Sequence, residues 1–205
     1  MKKFNQNSRY DFSIIENWTH PNSKVLDLGC GDGALLNYLK EKKDIKGFGI
    51  EKNKENWLLS LKNNIDVIQM DLESGLAGFE TNSFDLVILS RTIQSMKNIE
   101  EIIHEMMRVG KEVVITFPNF GYWRNRLQIL QGNMPVSEEL PYKWFETPNI
   151  HLCTIQDFDN LCQKNKIKIE QRLILTDKKS VNFYPNFFGA LALYKLISKV
   201  LNVKI

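Results

Sequence analysis

The chain has few of the residues that build covalent or metal-held folds. Its 205 residues include only three cysteines, Cys30, Cys153 and Cys162, in no pairing pattern. An odd, unpatterned count argues against a disulfide scaffold and for a reducing, cytoplasmic compartment. No Cys-x-x-Cys pair and no cluster of cysteine with the three histidines offers zinc ligands, so no metal is expected. The longest apolar run, residues 187–194, is too short to cross a bilayer, so no membrane is expected either. The basic start MKKFNQNSRYDF leads into no apolar stretch and is not a signal peptide. Charge of one sign is also missing. With 27 basic and 24 acidic side chains the net charge is +3, too balanced for a nucleic-acid footprint or a polybasic membrane patch. There are no internal repeats and no low-complexity linkers.

What remains is an ordinary globular composition, 43% hydrophobic and 25% charged. That is enough for one well-filled domain spanning 1–205. Residues 10–19 carry Phe12, Ile15 and Trp18 at helical spacing. Strand and helix patterns then alternate. Residues 24–28 (KVLDL), 46–51 (KGFGIE), 66–70 (DVIQM), 84–89 (FDLVIL) and 111–117 (KEVVITF) read as strands. Leu35, Leu36 and Leu39 mark one intervening helix. Trp57, Leu58 and Leu61, capped by Asn53, mark another. Asn98 and Glu101 open a third with the stripe Ile102, Ile103, Met106 and Met107. Such alternation predicts a parallel α/β sheet with right-handed crossovers. The rhythm breaks at 118–150, which holds four of the six prolines and a crowd of aromatics. This stretch reads as a proline- and aromatic-rich insertion. Thr154 and Asp157 then form a capping box for a helix with Ile155, Phe158, Leu161 and Cys162 inward. Residues 167–175 and 190–197 read as an antiparallel strand pair closing one edge.

The chemistry concentrates at Asp27-Leu-Gly29-Cys30-Gly31-Asp-Gly33, between the first strand and a helix. Glycines at this spacing let the backbone turn tightly and approach a ligand with no Cβ in the way. The same string satisfies a dinucleotide fingerprint, Gly29-x-Gly31-x-x-Ala34. In either case an acid about 20 residues on, here Glu51, ends the second strand and can hold ribose hydroxyls. Two features separate the alternatives. Asp27 would sit near the pyrophosphate of NAD, a meeting of like charges, but would suit an ammonium. Asp71, after the third strand, is placed to accept from an adenine amino group. Three carboxylates at the carboxyl ends of three adjacent strands match an adenosine with a cationic amino-acid tail, which describes S-adenosylmethionine or S-adenosylhomocysteine. Cys30, Leu72 and Ser90 complete the candidate cofactor-binding set.

The DLGCGDG loop, GIE and MDLE resemble class I S-adenosylmethionine-dependent methyltransferases. Longer stretches are similar to the MetW family of methionine biosynthesis proteins, above all FPNFGYWRNRLQ and LPYKWFETPNIHLCT. The resemblance covers roughly residues 9–175. It implies a Rossmann-like methyltransferase sandwich with a mostly parallel seven-stranded sheet. It also implies a role in methionine synthesis as partner or activator of a homoserine O-acyltransferase (MetX). The alternative is a methyltransferase acting on an unidentified small molecule.

Methyl transfer from a sulfonium needs mainly alignment and desolvation. After the fourth strand the chain reads Ser90-Arg91-Thr92-Ile93-Gln94, with no Cys, His or Glu as an evident base. Whether the chain is itself an enzyme therefore stays open, and catalytic residues are unassigned. His20 and His104 read as surface residues, and His151 as the histidine nearest a ligand. In the insertion Trp123, Arg124, Tyr142 and Trp144 are candidate anchors for a protein partner, because Trp, Tyr and Arg dominate interface hot spots.

Overall fold

The computed structural model describes residues 10–197. Helix α1 (Asp11–Trp18) leads into β1 (Lys24–Leu28), α2 (Ala34–Lys43), β2 (Lys46–Glu51), α3 (Lys54–Lys62) and β3 (Asp66–Gln69). The chain continues through β4 (Phe84–Ser90), α4 (Ile99–Val109), β5 (Gly110–Pro118) and α5 (Trp123–Leu130). It finishes with α6 (Ile155–Lys164), β6 (Lys168–Thr176), β7 (Lys179–Ser180), α7 (Pro185–Phe188) and β8 (Leu191–Ile197). The sheet order is β3-β2-β1-β4-β5-β8-β6-β7. The strands β1 to β5 pair in parallel, whereas β8 runs against both β5 and β6. Seven long strands appear as the sequence predicts. The two-residue β7 adds an eighth through a tight hairpin at Asp177 and Lys178, both at positive φ.

Alternation along the central strands explains the sandwich. Leu26 and Leu28, Val87 and Leu89, and Val113 and Ile115 face one layer, where Ile103 and Met106 of α4 and Phe158 of α6 cover them. Val25, Leu86, Ile88 and Val114 face the other, under Ile15 of α1 and Leu36 and Leu39 of α2. Continuous apolar strands are thus buried on both sides. The exceptions are instructive. Leu58 and Leu61 of α3 are half exposed, because α3 covers the sheet's outer edge beside β3. Asn98 precedes α4 as expected, yet its side chain makes no capping bond. The Thr154–Asp157 capping box forms as predicted.

The irregular stretch is anchored at its entrance by a buried amide. Asn119 follows β5. Its Oδ1 accepts from the N–H of Gly121 at 2.9 Å and of Ile155 at 3.3 Å. Its Nδ2 donates to the carbonyls of Gly189 at 2.7 Å and Asn186 at 3.1 Å. One side chain therefore joins β5, the start of α6 and the approach to β8. Among the described residues no helix is long and apolar enough to cross a membrane.

Two stability measurements check this account. Asn119→Ala strands buried donors and acceptors, and is expected to lower urea-measured stability by about 2–3 kcal/mol; a change under about 0.5 kcal/mol would contradict the anchoring role. Burial pushes the thiols of Cys30, Cys153 and Cys162 up from 9.0 to about 12. The folded chain therefore keeps thiol protons that the unfolded chain loses above pH 9. This contribution to stability is whole below pH 9 and declines as pH rises towards 12. The three thiols are expected to react slowly with a disulfide reagent at pH 8 in the native state and at once in denaturant.

Candidate ligand crevice at the carboxyl ends of the strands

The glycine loop between β1 and α2 has Gly29, Gly31 and Gly33 all at positive φ (71°, 60° and 78°). Their surroundings differ. A Cβ on Gly29 would meet the Thr92 side chain at 2.9 Å, and one on Gly33 would meet Ile65 at 2.9 Å. A Cβ on Gly31 would find nothing within 4 Å. Gly29 and Gly33 thus permit close packing, while Gly31 opens onto free space.

Glu51, buried at the end of β2, holds the loop. Its Oε2 accepts from the Gly31 N–H at 2.8 Å and its Oε1 from the Asn53 N–H at 2.7 Å. The Gly29 and Cys30 N–H groups donate to the Ile50 carbonyl at 2.8 and 3.0 Å. Asp27 is 3% exposed near the end of β1. Its charge, after burial itself, contributes to the raised pKa of Cys30. Cys30 turns its sulfur inward, so closely against Gly49 that a Cβ there would lie 2.5 Å from it. The side chain of Cys30 packs the loop, leaving its backbone on the ligand side.

Asp71 and Leu72 lie beyond β3. Asp71 Oδ2 pairs with Lys52 Nζ at 2.5 Å, and its Oδ1 accepts from the Glu73 N–H at 3.1 Å. Hydrogen bonding from Lys52 holds the Asp71 carboxyl below the usual range and raises the Lys52 ammonium. Leu72 begins a short turn, Leu72–Ser74, with its side chain in the core. At the end of β4, Ser90 Oγ lies 3.2 Å from Thr116 Oγ1. The next residue, Arg91, takes a positive φ of 57° and donates its N–H to the Thr116 carbonyl at 2.9 Å.

The strand order brings Asp27, Gly29, Cys30, Gly31, Glu51 and Ser90 to neighbouring carboxyl ends, with Asp71 and Leu72 at the outer end. The donor set fits an adenosyl amino acid: open space at Gly31, acids at or just beyond the strand ends, and further lone pairs on Glu51 beyond those holding the loop. The residues after β4 divide two cavities. Arg91 lines one of about 280 Å³, and Ile93 and Gln94 line another of about 600 Å³. His151 lies at the second, exposed, its backbone N–H bonded to the Gln94 carbonyl. His20 and His104 are exposed, as the sequence indicates.

The insertion residues stand apart from the crevice set. Trp123 is half buried beside the Tyr122 ring, with the Arg124 guanidinium 5.5 Å from its own ring centre. Tyr142 is exposed and Trp144 is 72% exposed, edge-on to Phe145. On α5 and just after it Leu127, Ile129, Leu130 and Met134 are also exposed. Sequence reasoning missed Lys52, Arg91 and Thr92. For Arg91 and Thr92 the signal was their place just after a strand end; the left-handed backbone of Arg91 has no signature in residue type.

Comparison with known proteins agrees with this architecture. The family model for "Methionine biosynthesis protein MetW" matches residues 9–196. A Rhodopirellula baltica protein, "Bifunctional methionine biosynthesis protein MetXA/MetW", is 37% identical over 161 residues, covering 74% of this chain. The chain spans only 26% of that relative. Among solved structures, a Pyrococcus horikoshii protein aligns with a TM-score of 0.71 at 18% identity, covering 97% of this chain and 93% of that one. A Thermotoga maritima S-adenosylmethionine-dependent methyltransferase, described as a possible histamine N-methyltransferase, aligns with a TM-score of 0.67 at 17% identity, covering 95% and 91%. At such identities these structures show the fold, that of Rossmann-like methyltransferases. With a family match across nearly all of its length, the chain belongs to the MetW family of methionine biosynthesis proteins.

Proposed function

We propose that this chain binds S-adenosylmethionine or S-adenosylhomocysteine in the crevice and serves methionine biosynthesis as partner or activator of a homoserine O-acyltransferase of MetX type. The observation that carries the partner role is a relative whose name joins MetXA and MetW on one polypeptide, of which this chain spans about a quarter. The cofactor reading is supported by the open space at Gly31 and by the acids at the ends of β1, β2 and β3. Asp27 takes the ligand's ammonium and Glu51 the ribose hydroxyls. Asp71 takes the adenine amino group once Lys52 gives way. The backbones of Gly29, Cys30 and Gly31 line the tail; Gly33, Leu72 and Ser90 complete the site.

The chain is best read as one methyltransferase-like domain with residues 118–150 inserted as the docking surface. Trp123, Arg124, Tyr142 and Trp144 are its anchors. Exposed aromatic and apolar groups on α5 and the following loop favour this reading, because aromatic side chains are enriched at protein interfaces.

Calorimetry tests the cofactor half. S-adenosylhomocysteine is expected to bind and NAD not to bind. Glu51→Ala should weaken binding by about 1.5–3 kcal/mol. Gly31→Val should abolish it with the fold retained, since a β-branched side chain fills the open space and resists positive φ. NAD binding tighter than S-adenosylhomocysteine would overturn the assignment.

The partner half is tested on two variants measured twice. Trp123→Ala and Trp144→Ala should each weaken the acyltransferase complex by about 2 kcal/mol or more. Their S-adenosylhomocysteine affinity should stay within about threefold. Unchanged partner binding with lost ligand binding would move these residues to an active site and favour a methyltransferase that works alone.

A further inference from the structure

The cavity beside Arg91 has the chemistry of a second ligand site. It measures about 280 Å³ and lies where α1, the end of β4, the insertion and the start of β8 converge. Ligand pockets for drug-sized molecules run from about 300 to 1,000 Å³, so this one suits something smaller. Its wall carries both signs of charge, Arg91 and Lys178 with Asp11, Asp177, Glu138 and Glu139, above an apolar floor of Leu175 and Leu191.

Arg91 is held in place from several sides. Its Nε donates to Asp11 Oδ2 at 3.2 Å, and Asp11 is completely buried. Its Nη1 pairs with Glu139 Oε2 at 2.8 Å. Its backbone, in the left-handed region, is bonded to Thr116. A bulky residue kept in that region marks stored strain of the kind found at functional sites. These two ion pairs engage Nε and Nη1 of the guanidinium, which carries five N–H donors in all. Nη2 is left to donate to a further carboxylate oxygen. Glu138 is exposed at the rim and bears a charge of opposite sign to Arg91. Carboxylates outnumber cations along the wall, which favours a ligand that also brings a positive group.

We propose that this cavity binds a free α-amino acid, its carboxylate on Arg91, its ammonium on Glu138 and its side chain over Leu175 and Leu191. In the strand order the cavity lies on the β8 and β6 side of β4, and the glycine loop on the β1 side.

Calorimetry of the whole chain with L-homoserine, L-methionine and L-lysine tests the proposal, each beside its decarboxylated amine and its N-acetyl derivative. At least one zwitterion is expected to saturate at one per chain, with its amine and N-acetyl forms at least tenfold weaker. Arg91→Ala should weaken that binding tenfold or more. If thermal melting shows that Arg91→Ala does not fold, Glu138→Gln carries the test, since this exposed side chain makes no hydrogen bond or ion pair among the described residues. Glu138→Gln should lower amino-acid affinity severalfold and leave S-adenosylhomocysteine affinity unchanged. The proposal is overturned if none of the three amino acids binds, if an amine or N-acetyl form binds as well as its parent, or if Glu138→Gln leaves amino-acid affinity unchanged.

Discussion

The carboxylate of Glu51 fixes the shape on which the crevice depends. A buried charge is costly unless hydrogen bonds replace its hydration. Glu51 is buried at the end of β2, and the backbone N–H groups of Gly31 and Asn53 supply that replacement. The arrangement binds the glycine loop to the neighbouring strand and sets the start of α3 in one stroke. Bonds from Gly29 and Cys30 to the Ile50 carbonyl reinforce it. Packing then closes the loop from the other sides. Thr92 lies over Gly29, Cys30 sits against Gly49, and Ser60 and Ile65 sit against Gly33. Gly31 alone of the three loop glycines is left facing open space.

Much of this was legible in the sequence, for identifiable reasons. Strands buried on both faces read as unbroken apolar runs such as FDLVIL, and β4 lies at the centre of the sheet. The Thr154–Asp157 capping box was readable because its partners are three residues apart and local geometry decides it. Asn98 had an equally good local pattern and makes no side-chain cap, because the same residue types permit other conformations before a helix. The apolar residues of α3 suggested a buried face, but a helix at the sheet's edge has less to cover it. At the site, Asp27, Glu51 and Asp71 were visible as acids ending successive strands. The Lys52–Asp71 pair was not, because adjacent residues on a strand-to-helix turn carry no periodicity that predicts which side chain reaches back.

Long-range ties were the least legible. Arg91 joins Asp11, four strands earlier in the chain, and Glu139, beyond β5. Asn119 joins three segments as far apart as Gly121 and Gly189. Both bonds fix the insertion relative to the crevice: one at its entrance after β5, the other near its middle. The exposed aromatics Tyr142 and Trp144 therefore follow a segment tied down at Asn119 and Glu139.

The most direct measurement of the account's central claim, that the glycine loop is the ligand cradle, is a titration of the ¹⁵N-labelled chain with S-adenosylhomocysteine followed by amide resonances. The account predicts saturable shifts at Gly29, Cys30, Gly31, Glu51 and Asn53, the amides around the carboxylate that holds the loop. Shifts confined to the cavity by Gln94 and His151, with the loop unperturbed at saturation, would contradict it.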